Sequence, residues 1–121
     1  MPRPARRLLL LGALVAVGAL VVAGVVSAKT TVNLSASKTA LKFNKKTLHV
    51  AHGKVSLVMA NPSSNKHAVA VEGHGLDKDG KTVGKGGTSR VTVTLKKGTY
   101  EFYCPVDGHK AAGMKGKIIV N

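Results

Sequence analysis

From residue 31 onward the chain alternates apolar and polar positions in short runs separated by turn residues. TVNLSAS (31–37) alternates, and LKFNKKTLHVA (41–51) alternates in two pieces before Gly53 breaks it. KVSLVMAN (54–61) reads as a strand ended by PSSN, and HAVAVEG (67–73) as the next. Residues 75–89 are rich in glycine, lysine and aspartate and read as a loop, with a short strand at most around Thr82 and Val83. RVTVTL (90–95) alternates clearly, KKG (96–98) is a turn, and TYEFYC (99–104) and GKIIVN (116–121) are the last strands. A period of two with β-branched residues between turn signals is the pattern of half-buried strands. Seven or eight short strands predict an all-β, antiparallel sandwich or barrel. Strand alternation also sets direction. Tyr100, Phe102 and Cys104 share one face, which their bulk turns inward, while Glu101 and Tyr103 point outward.

The first 28 residues follow a different pattern. Arg3, Arg6 and Arg7 precede an unbroken apolar run over residues 8–26, and Val26-Ser27-Ala28 closes it. A basic end, an apolar middle and a small-residue exit make a secretory leader. Residues 1–28 are therefore expected to be a signal peptide cleaved after Ala28. The run also reaches the roughly 18 residues that span a bilayer, so retention of residues 8–26 as a membrane anchor is the competing reading. Both place residues 29–121 outside the cytoplasm, whether periplasmic, at the cell surface or secreted. That length is one small domain.

Charge and cysteine usage narrow the chemistry. The leader holds three of the 19 basic residues and none of the five acidic ones, so sixteen basic less five acidic residues leave +11 on the exported part. Such a balance favours acidic partners or anionic surfaces, although a solvated lysine face also blunts sheet edges. The basic residues form no dense run and the aromatics are only two Tyr and two Phe. Nucleic acid is not expected without a stacking platform. The single cysteine, Cys104, cannot form an internal disulfide, which leaves it as a free thiol or a ligand.

Cys104 opens the loop CPVDGHKAAGM, with His109 five positions on and Met114 five beyond that. A thiolate and imidazoles with a weak thioether form the ligand set of a mononuclear copper electron-transfer site. Such a site needs a second histidine, and the choices are His49, His52, His67 and His74. His67 fits best, because it follows a polar turn and opens a strand. His49 falls mid-strand on a polar face, His52 precedes a turn, and His74 sits between two glycines.

The segments TLKKGTYEFYCPVDGHKAAGMKGKIIV and NPSSNKHAVAVEG resemble the two ligand segments of the cupredoxins, the plastocyanin and azurin family of type 1 blue copper proteins. The resemblance spans nearly all of residues 29–121. It implies a Greek-key β-sandwich that binds one copper ion, cycling between Cu(I) and Cu(II), through His67, Cys104, His109 and Met114. The implied role is one-electron transfer between redox partner proteins with acidic surfaces, by a monomer that is not an enzyme. The alternative is an extracytoplasmic protein that holds or delivers copper. His109 would be the electron port, in a flat rim formed by Pro105, Val106, Ala111, Ala112 and Gly113. One departure stands out. Many family members have a polar residue, often asparagine, after the first histidine to tie the ligand loops together, and here it is Ala68.

Overall fold

The computed structural model describes Gly18 and residues 28–121. The expected leader and anchor therefore lie outside the described residues, apart from Gly18 and Ala28. Among the described residues, no helix is long and apolar enough to cross a membrane.

Eight strands form: β1 Thr30–Ser35, β2 Thr47–Val50, β3 Gly53–Ala60, β4 Ala70–Gly73, β5 Leu76–Asp79, β6 Thr88–Leu95, β7 Gly98–Tyr103 and β8 Lys115–Val120. They make two sheets, ordered β1-β3-β6 and β2-β8-β7-β4-β5. This is the all-β sandwich that the alternation predicts. Its pairings are mixed rather than wholly antiparallel, since β1 runs parallel to β3 and β2 parallel to β8. The first two strands each take the edge of a different sheet, so neither can be a hairpin partner of its neighbour.

The inward positions of both sheets meet in one apolar cluster. Val55, Leu57 and Met59 come from β3, Val91, Val93 and Leu95 from β6, and Phe102 and Ile118 from β7 and β8. Cys104 and Met114 belong to the same cluster. The cluster is closed tightly at Gly116, which pairs with Phe102. A Cβ there would meet the Phe102 ring at 2.4 Å and the Lys46 carbonyl oxygen at 2.5 Å. No residue larger than glycine fits without displacing one of them.

Four elements depart from the sequence pattern. Residues 76–79 (LDKD), expected as loop, form edge strand β5 on β4. Their alternation is weak because an edge strand exposed to solvent needs little apolar surface. The hairpin comes instead from His74 (φ 51°) and Gly75 (φ 80°), two consecutive positive φ values that suit the twist of a tight two-residue turn. Residues 41–46 do not form a strand. Their one ladder-type pairing is an isolated bridge between Ala36 and Phe43, backed by side-chain bonds to β1 in which Lys45 Nζ donates to the Asn33 carbonyl at 3.1 Å and Asn44 Oδ1 accepts from the Ser35 N–H at 2.9 Å. Strand β4 begins at Ala70 rather than at His67. Tyr103 does point away from the core but is only 8 % exposed. Its hydroxyl donates to Asp77 Oδ1 at 2.6 Å. Burial first, and then Asp77, raise its pKa well above the usual phenol value.

Candidate metal centre

The even spacing of Cys104, His109 and Met114 has a simple structural cause. Cys104 and Met114 continue the β7–β8 ladder by one step, the Cys104 N–H donating to the Met114 carbonyl at 3.0 Å. The nine-residue excursion between them folds back through turns. His109 N–H donates to Val106 O at 3.0 Å, Ala112 N–H to Gly108 O at 3.1 Å and Met114 N–H to His109 O at 3.0 Å. Gly108 and Gly113 supply the positive φ values that these turns need. Cys104 and Met114 thus face each other at the neck of the loop, both fully buried, with His109 swung back towards them.

His67 arrives from the other side. The chain enters β4 at Ala70, and before it residues 67–69 bond mainly to a neighbouring loop, apart from the Val69 N–H, which donates to Ser89 Oγ of β6 at 3.2 Å. His67 N–H donates to Val83 O at 3.0 Å, Val83 N–H returns to His67 O at 2.8 Å, and Gly80 N–H donates to Val69 O at 2.7 Å. The polar turn before His67 is knotted by Asn61, which is 1 % exposed. Its Nδ2 donates to Asn65 O at 2.7 Å and to Val83 O at 3.0 Å. Its Oδ1 accepts from the Ser63 N–H at 3.0 Å and from the Ser63 hydroxyl at 2.9 Å. Val83 O therefore serves both Asn61 and His67. Sequence reading treats NPSSN as a generic polar turn and misses these anchors. Its signal is the Asn and Ser content, which marks side chains that bond their own backbone.

The two arms bring three donor atoms together. His67 Nδ1 lies 3.2 Å from His109 Nδ1. Cys104 Sγ lies 3.8 Å from His67 Nδ1 and 3.5 Å from His109 Nδ1. Bonds of about 2.0 Å to nitrogen and 2.3 Å to sulfur would place three such donors roughly 3.5 Å apart around one ion, which is the spacing found. The two imidazole rings are tilted by 59° rather than stacked. Burial, and next the charge of His109, lower the pKa of His67. Its imidazole is thus held neutral with a lone pair to offer. Two imidazoles, a thiol and a nearby thioether are soft and borderline donors, unsuited to calcium or magnesium, and the arrangement fits one copper ion.

His67, Cys104 and His109 are thus in one place, and Met114 is buried opposite Cys104. His49 and His52 are exposed, and His52 Nδ1 bonds the Asn121 carbonyl at 3.0 Å. His74 is exposed and packs its ring 4.7 Å from that of Tyr100. Ala68 is fully buried, so the side-chain tie expected beside His67 has no counterpart at that position.

Residues 30–121 match the family described as copper binding proteins, plastocyanin/azurin family. No curated protein sequence matches the chain. Among solved structures the chain is similar to auracyanin B, with TM-score 0.70 and 23% identity over 78% of this chain and 89% of that one. It is also similar to auracyanin A, a "blue" copper protein from Chloroflexus aurantiacus, with TM-score 0.68 and 22% identity over 78% of this chain and all of that one. A third similar structure is the copper nitrite reductase from Nitrosomonas europaea, with TM-score 0.65 and 26% identity. There 78% of this chain spans only 42% of the reductase chain.

Proposed function

Because this chain belongs to the plastocyanin/azurin family of copper-binding proteins, we propose that it is an exported one-electron carrier. His67, Cys104, His109 and Met114 are its copper ligands. The observation that supports this most is the convergence of Cys104 Sγ with the Nδ1 atoms of His67 and His109 at 3.2–3.8 Å. A copper ion held there supplies a Cu(II)/Cu(I) couple. The chain's own residues do the rest. The Asn61 knot and the β7–β8 neck hold the donors in a fixed array, so a change of oxidation state requires little movement. Burial of His67, Cys104 and Met114 keeps water from the site. His109 is half-buried at the loop surface and provides the way out for the electron.

The partner docks on the rim around His109. Ala111, Ala112 and Gly113 are exposed there, and Pro105 and Val106 half-exposed. Lys66 adjoins His67, and Lys81 and Lys85 flank Val83, all three exposed at the same end. A small apolar patch with a basic surround suits a weak, transient contact with an acidic redox protein. The buried, pre-arranged donors favour a carrier over a copper-delivery protein, whose metal must be reachable. Voltammetry of the copper-loaded protein tests the reading. A reversible one-electron wave with no loss of copper to a chelator is expected. Rapid stripping without a reversible wave would point to copper handling.

A further inference from the structure

The loop that carries His109 is held to the rest of the molecule by very little. Among the described residues, the backbone bonds made by residues 105–113 stay within the stretch from Cys104 to Lys115. Val106 packs against the edge of the core, and polar side chains reach beyond the stretch at two places. His109 turns inward to His67 and Cys104. Lys110 turns the other way, over the outer face of the sheet. Its Nζ pairs with Glu72 of β4 and, at 3.1 Å, with Glu101 of β7. It also lies 4.3 Å from the centre of the Tyr103 ring.

Glu72 and Glu101 stand directly opposite each other in the β4–β7 register. Like charges in that position repel, and Lys117, in register with Glu101 on β8, forms no ion pair with either. The ammonium of Lys110 therefore resolves a repulsion that the sheet would otherwise carry. Strand β4 runs on from His67, and β7 runs into Cys104. One lysine thus joins the loop of His109 to the two strands adjoining the other donors, on a chain that has only Ala68 where a tie beside His67 is expected.

We propose that Lys110 is a positioning residue, an ionic tie that fixes the His109 loop against β4 and β7. The ligand roles it serves rest on the copper reading above, but the tie itself does not depend on metal. Its three side chains are 33–40 % exposed, so the tie is modest and sensitive to salt. It biases the loop without holding up the fold.

The test is amide hydrogen exchange on the metal-free protein, comparing wild type, Lys110→Met and Lys110→Arg. Lys110→Met keeps an apolar stem over Tyr103 and removes the charge. Its amides at residues 106–113 are expected to exchange about 3- to 5-fold faster, the loss of a partly exposed ion-pair network. Amides of β3 and β6 should be unchanged, and Lys110→Arg should restore wild-type loop protection. High salt should loosen the wild-type loop and leave Lys110→Met as it was. Equal loop exchange in wild type and Lys110→Met would overturn the proposal. So would uniform acceleration across β3, β6 and the loop, which would mark a merely global effect. Because no copper is involved, a negative result here leaves the copper reading standing, and a protein that fails to bind copper can still show the tie.

Discussion

His67 comes on an arm that is buried and knotted, and His109 on one that is exposed and nearly free. The first is anchored by Asn61, whose side chain makes four hydrogen bonds out of contact with water. The second is a run of turns fastened at its neck, by Val106 against the edge of the core and by one surface lysine. Of the three converging donors, His67 and Cys104 are anchored deep in the molecule, while His109 sits half-buried at the surface, where the proposed partner would meet it. Rigidity and access are divided between the arms instead of being compromised in each.

Disabling the buried arm should have the largest effect. Asn61→Ala leaves the Asn65 and Ser63 groups without their buried partner, and is expected to destabilise the metal-free protein by about 3 kcal/mol, read by chemical denaturation. A loss below about 1 kcal/mol would show that the knot is not the anchor. Next comes the neck of the exposed arm. Gly116→Ala forces a methyl group against Phe102 and Lys46, an overpacking cost of about 1–3 kcal/mol, with the loss visible in the same denaturation curves.

The contrast also has a pH signature. His67 stays neutral in the folded protein because burial and His109 lower its pKa. The unfolded chain binds a proton there below about pH 6.5 and the folded one does not, so stability falls as pH drops below that value and is retained above it. Melting temperatures of the metal-free protein at pH 7.5 and 5.5 should show this, with a smaller difference in His67→Gln. The smallest global effect belongs to the exposed arm. Lys110→Met should cost under about 1 kcal/mol, because its ion pairs are partly solvated. A larger loss would mean that the two arms are more alike than their burial suggests.

How much of this the sequence carries follows the same division. Alternation in RVTVTL and KVSLVMA is strong because each strand has one face in the core, so β3 and β6 are placed closely. The loop from Cys104 to Met114 is legible because its three donors lie within one hairpin, and local spacing reports local geometry. His67 can be chosen among the four histidines outside the loop from its place beside a polar turn. The knot beneath it is not legible, because Asn61 reaches Val83 across 22 positions and nothing in either segment announces the other. β5 is hidden for a related reason. LDKD has no apolar face of its own, and only the turn at His74 and Gly75 brings it to β4. Tyr103 looks solvent-facing by its position in the strand, and is covered by Asp77 and Lys110 from elsewhere in the chain.

The central claim is that the two arms make one copper site with a thiolate ligand. Optical titration of the purified protein with Cu(II), in wild type and in Cys104→Ser, tests it most directly. The account predicts an intense blue thiolate-to-copper band that saturates at one equivalent in wild type, with loss of the titratable thiol, and no such band in Cys104→Ser. A colourless wild-type protein whose Cys104 still reacts as a free thiol in the presence of copper would contradict it.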